Sequence, residues 1–279
     1  MPSDQSTDDQ ELLQHLAEVW HRAAADVIAL LRTLEDADWS RPTDLPGWDV
    51  RAVAAHLAHL ESELAGNPQE KVDVAPAPHI RGLLGEFTEA GVIARSGWST
   101  DAVIDELESS VEKRYAALTA DPPTDASALG PGFAGAVGWS WRTLLTNRPL
   151  DLWMHEQDIR RALDRPGGLD SPGAVHTAGV YARSLPFVLG KKVGAPSGTT
   201  VVVEITGAQP VVLAAGVNDQ GRGAPVDRLT EEPTCRLAMD FETWILLTGG
   251  RRSADEAQVE VQGDAALGRA VLENLGVTL

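Results

Sequence analysis

Apolar positions in the first half of the chain recur with helical spacing. From Gln10 to about Leu34 they fall at Leu12, Leu13, Leu16, Val19, Trp20, Ala23, Val27, Leu30 and Leu31, one face of an amphipathic helix. The polar stretch Arg41-Pro42-Thr43-Asp44-Leu45-Pro46-Gly47 breaks it. Asp49 then suits the N-cap of a second helix, and Gly66 suits its stop. Residues 67–79 hold three prolines and read as a loop. The spacing predicts helices near 80–96 and 101–120, the latter capped by Ser99 or Thr100. The Pro-, Gly-, Ala- and Ser-rich stretch 121–138 predicts a long loop. A further helix covers roughly 139–163, with Pro149 as a kink or as its true first turn.

After Gly168 the pattern predicts one more helix, roughly 173–190, and then its period changes. Val201–Ile205 and Val211–Leu213 are β-branched runs separated by Gly207 and Pro210, which reads as a hairpin. Thr234–Met239 and Gln258–Val261 read as further strands. Short helices near 240–248 and 264–275 complete an α+β pattern. The expected division is a helical domain over 1–168 and an α+β domain over 169–279.

Composition and charge narrow the function. Hydrophobic residues make up 43% of the 279 positions, enough for packed cores. The formal net charge is -18, so the chain lacks the basic footprint that nucleic acid or an anionic membrane surface requires. No apolar run reaches the length of about 18 residues expected of a membrane span. The polar, acidic start does not read as a signal peptide. Cys235 is the single cysteine, so no internal disulfide is expected. These features together predict a cytoplasmic protein.

Chemistry concentrates in the histidines. Asp151 and His155 stand four residues apart on a helix, on one face, so both can reach one ion. A carboxylate and an imidazole suit zinc and several other divalent metals. His56 lies among small apolar residues of the second helix and points to the bundle interior or its rim. His59, one turn on and followed by Glu63, competes with it by spacing alone. Three protein ligands leave an open position, as catalytic metal sites do. Asp158, three residues after His155, suits an outer partner of that imidazole. The charges of Glu156, Asp158, Arg160 and Arg161 also fit plain surface ion pairs.

Two segments carry a family pattern. Leu45-Pro46-Gly47-Trp48-Asp49-Val50-Arg51 with Ala54-Ala55-His56-Leu57, and Asp151-Leu152-Trp153-Met154-His155-Glu156-Gln157-Asp158, resemble the signatures of the mycothiol-dependent maleylpyruvate isomerase family. The resemblance spans nearly the whole chain. It implies a DinB-like four-helix bundle followed by a sterol-carrier-protein-like α+β domain. It also implies a divalent metal, zinc, held by His56, Asp151 and His155, with mycothiol as the thiol partner and a small electrophile as substrate. The isomerase uses Glu where this chain has Asp151, one methylene shorter. The resemblance implies a functional arginine at Arg251, after Gly250, with the adjacent Arg252 as the alternative match. An arginine there suits a carboxylate through bidentate bonding. The expected active site is a cleft between the two domains, and the expected activity is that of an isomerase or S-transferase. A binding protein without catalysis and a metal-dependent hydrolase remain open alternatives. The sequence says nothing of the oligomeric state.

Overall fold

The structure, a computed structural model, describes residues 4–277, with side chains from residue 7 onward. It divides into two compact units, residues 1–173 and 174–279.

The first unit is built on helices α1 (Asp4–Leu31), α2 (Val50–Leu64), α3 (Gly82–Arg95), α4 (Thr100–Ala120), α5 (Gly132–Ala136) and α6 (Trp141–Ala162). α1 packs on α6 and α4, and α2 packs on α4 and α6, which closes a four-helix ring; α3 lies against α2. The helix starts follow local chemistry. Asp49 Oδ1 accepts from Ala52 N at 2.8 Å, and the Ser99 and Ser140 side chains accept from Ala102 N and Thr143 N. The apolar stripe of α1 is the stripe that is buried: Leu13, Leu16, Trp20, Ala23, Val27 and Leu31 enter one core with Val53, Leu57, Leu107 and Leu152.

One expectation for this unit is corrected. The stretch 121–138 is not all loop, because it carries the short helix α5. Its Gly-Phe-Ala-Gly-Ala composition gives no periodic signal. Of the two places open to Pro149, the structure has it inside α6, whose first turn Ser140 caps. It therefore removes one intrahelical hydrogen bond beside the site described below.

The second unit holds α7 (Pro172–Ala182), most of which belongs to it, then the one-turn helix α8 (Leu185–Phe187), which runs on into a π-helical turn over Val188–Lys192. The single helix expected over 173–190 is thus interrupted. Five strands follow: β1 (Thr200–Thr206), β2 (Val211–Val217), β3 (Gly223–Pro225), β4 (Cys235–Asp240) and β5 (Glu260–Gly263). Among the described residues they form one sheet in the order β3-β2-β1-β4-β5. β1 and β2 pair antiparallel as the expected hairpin, with Val203 opposite Leu213. β4 lies parallel to β1 on its other side, and β5 returns antiparallel. β3 has no β-branched residue and gave no signal. α9 (Phe241–Thr248) and α10 (Ala265–Asn274) complete the unit, with α10 packed on β4 and β5. No described helix is long and apolar enough to cross a membrane.

Candidate metal centre

His56 sits mid-way along α2, and Asp151 and His155 share one face of α6. The fold brings one ligand atom of each to within 4.8 Å of the others. His56 Nε2 lies 3.4 Å from Asp151 Oδ2, and His155 Nε2 lies 3.6 Å from Asp151 Oδ1. Both imidazoles are buried. Their ring centroids are 4.8 Å apart, edge to face.

Three observations bear on whether these residues fit an ion. A tetrahedral ion with bonds of about 2.0–2.1 Å sets its ligand atoms about 3.4 Å apart; each histidine lies at about that distance from one of the two Asp151 oxygens, and the full set lies within 4.8 Å. Both ring nitrogens of His56 are buried without a hydrogen-bond partner, and the contact to Asp151 is an ion-pair distance rather than an aligned bond. A buried polar atom left so is costly unless something else occupies it. Finally, His155 Nδ1 is 3.1 Å from Asp158 Oδ2, which turns Nε2 toward the cluster. The donor set, two imidazoles and one carboxylate, therefore suits a divalent ion.

The electrostatics agree. Burial, only partly offset by Asp151, pushes the His56 imidazole down, so its neutral, ligating form is favoured. Burial alone would raise the Asp151 carboxyl, but Arg148 and the two histidines hold it well below the usual carboxylate range. Trp48 walls the cluster, with its ring 5.0 Å from His56 and 6.2 Å from His155. The turn before it explains its placement. Gly47 has φ 85°, and a Cβ there would meet the His79 ring at 2.8 Å. Trp48 Nε1 donates to Glu89 Oε2 at 2.9 Å, tying the turn to α3.

His59 is placed apart from this cluster. Its Nδ1 bonds Gln69 Oε1 at 2.9 Å, with Arg95 Nη1 3.3 Å away and the Phe87 ring at 4.7 Å. Glu63, expected on the same face, accepts from Phe133 N at the start of α5. The run after His155 is not a surface ladder: Glu156 and Asp158 are buried, bonded to Arg160 and Arg161 respectively. Asp44, in the turn before Trp48, holds the same Arg161 at 2.6 Å. Arg251 follows α9 in the second unit. Gly250 there has φ 70°, and Arg251 Nη1 donates to Gly249 O. Arg252 is exposed and lines a cavity of about 330 Å³ beside α10.

The family described as "Mycothiol maleylpyruvate isomerase N-terminal domain" matches residues 20–160, and the one described as "MDMPI C-terminal domain" matches residues 176–270. The chain belongs to the mycothiol-dependent maleylpyruvate isomerase family. The crystal structure of the mycothiol-dependent maleylpyruvate isomerase is similar over 91% of this chain and 94% of its own, at 16% identity and a TM-score of 0.48. A histidine-to-alanine mutant of that isomerase covers 91% and 92%, at 16% identity and a TM-score of 0.44. No curated protein matches the chain. The two-domain organisation of the family, a helical N-terminal domain and a mixed α+β C-terminal domain, is the architecture found here.

Proposed function

We propose that this chain is a divalent-metal enzyme that uses a low-molecular-weight thiol, mycothiol in the family's chemistry, on a small electrophile, as an isomerase or S-transferase. The observation that carries the reading is the buried His56, Asp151 and His155 set, with neither His56 nitrogen in a hydrogen bond, in a chain of this family.

In this reading His56, Asp151 and His155 hold the ion, zinc by donor type. Three protein ligands leave a position open. An ion bound there supplies the positive charge that keeps a coordinated thiol deprotonated near neutral pH. The protein's own groups do the rest. Asp158 orients His155, the indole of Trp48 covers the imidazoles and keeps water away, and burial keeps His56 neutral and ready to bind. Arg251 is assigned the anion-holding role, since a guanidinium grips a carboxylate at two points.

The test is metal analysis of the purified full chain, followed by incubation with mycothiol and an unsaturated carbonyl substrate. Products are separated by mass spectrometry into isomer and thioether conjugate. The expected result is turnover that needs both metal and thiol, and that weakens in Arg251→Lys without loss of metal. Full turnover without thiol would contradict the thiol reading, and full turnover after metal removal would contradict the metal reading.

A further inference from the structure

Asp151 is held from behind. Arg148, one turn earlier on α6, donates Nη1 to Asp151 Oδ2 at 2.9 Å. Its Nε and Nη2 both donate to Glu61 Oε1 on α2, at 2.9 and 2.8 Å. Glu61 also accepts from Trp20 Nε1 at 3.0 Å and, through Oε2, from Arg114 Nη1 of α4 at 2.9 Å. The Arg148 and Glu61 side chains are 1% and 0% exposed. Burial would lower the Arg148 guanidinium, yet Glu61 and Asp151 outweigh it and hold the group charged.

One planar guanidinium thus bonds two carboxylates at once, one on each of the helices that carry the candidate ligands. A fork with fixed donor directions sets the planes of both carboxylates; an ammonium is a point charge on a flexible stem and does not. The bond to Oδ2 fixes the plane of the Asp151 carboxylate. In that plane Oδ2 also lies 3.4 Å from His56 Nε2, and Oδ1 lies 3.6 Å from His155 Nε2.

We propose that Arg148 is a positioning residue of the metal centre: by bonding Oδ2 of Asp151 it fixes the plane of that carboxylate between His56 and His155, and so sets metal affinity and coordination. This rests on the metal reading given above. Arg114 provides a built-in comparison. It pairs with the same Glu61 and stacks over the Trp20 ring at 4.4 Å, but its bond goes to Glu61 and not to Asp151.

The experiment measures Zn²⁺ affinity by chelator competition and records Co²⁺ visible spectra on the full chain, with thermal unfolding followed in parallel. Arg148→Met keeps volume and removes every donor. Arg148→Lys keeps the charge and loses the fork. Arg114→Met removes the other arginine from Glu61. Arg148→Met is expected to weaken Zn²⁺ about 10–100-fold and to shift the Co²⁺ bands. Arg148→Lys should recover part of the affinity. Arg114→Met should lower the unfolding midpoint yet leave affinity and spectrum as in the unmutated chain. Unchanged affinity and spectrum in Arg148→Met would overturn the proposal. So would equal losses in both methionine variants, because the network would then act only through the fold. If Arg148→Met does not fold, Arg148→Lys decides alone, and an unaltered affinity and spectrum there overturns it. An unmutated chain that binds neither ion removes the metal reading and this proposal together; binding by that chain with no effect at Arg148 removes the proposal only.

Discussion

His56 and His59 stand one turn apart on α2, are 4% exposed each, and meet opposite surroundings. His56 faces a carboxylate and a second imidazole, and both its nitrogens lack a hydrogen-bond partner. His59 faces a guanidinium and an amide, and one nitrogen is bonded to Gln69. Burial lowers both imidazoles, but for His56 the carboxylate opposes the shift, while for His59 Arg95 adds to it. A carboxylate beside an imidazole can share an ion with it as a second ligand; a guanidinium, which only donates, cannot. The same residue type on the same helix face is thus suited to ligation at one position and to packing at the next. The deciding partners come from α6 in one case and from α3 with the preceding loop in the other.

The largest expected effect separates the two directly. His56→Ala should lower metal affinity by at least about 100-fold, since outer-partner changes alone commonly cost 10–100-fold. His59→Ala should bind metal as the unmutated chain does. Equilibrium dialysis with elemental analysis reads both, and equal loss in the two variants would erase the contrast.

The next effect is on stability. The His59 imidazole is pushed down to about 4, by burial first and by Arg95 second. In the unfolded chain it titrates near 6.5. Between those values the unfolded chain binds a proton that the folded chain does not. The stabilisation is therefore fully present above about pH 6.5 and is lost as pH falls toward 4, at most about 3 kcal/mol. His56 shifts in the same direction and adds to the same slope. Denaturant unfolding of metal-free protein between pH 7 and 4 should show this slope, and His59→Gln should flatten it. An unchanged slope in the variant would place the proton uptake elsewhere.

A smaller effect probes the outer partner that His56 lacks and His155 has. Asp158→Asn leaves a side chain of the same shape but removes the charge facing His155 Nδ1 at 3.1 Å. About a tenfold loss of metal affinity is expected. A variant that binds metal as before would show that Arg161, the other partner of Asp158, is the reason for that buried charge.

Much of this contrast was legible along the chain, and its limits are physical. The Asp151/His155 spacing places two ligands on one face, because helical geometry is local. Asp49 as a cap and the α1 stripe are local for the same reason. The choice between His56 and His59 is not local: both lie on the buried side of α2, and their partners are distant in sequence. Only the family resemblance selected His56. Glu61, Arg114 and Arg148 were missed as a unit. Their one signal was charge set among apolar positions, as in Leu60-Glu61 and Arg148-Pro149-Leu150. Spacing cannot pair charges on three helices. The run from Glu156 to Arg161 fitted surface pairs equally well until the fold buried Asp158 against Asp44's partner, Arg161.

Everything proposed for this chain depends on His56, Asp151 and His155 holding one ion together. The most direct test is the metal content of the full chain and of a His56→Ala, His155→Ala double variant, each equilibrated with Zn²⁺ and dialysed. About one ion per chain is expected without the substitutions and none retained in the double variant, with the helical signal of both preserved. Full occupancy in the double variant would contradict it.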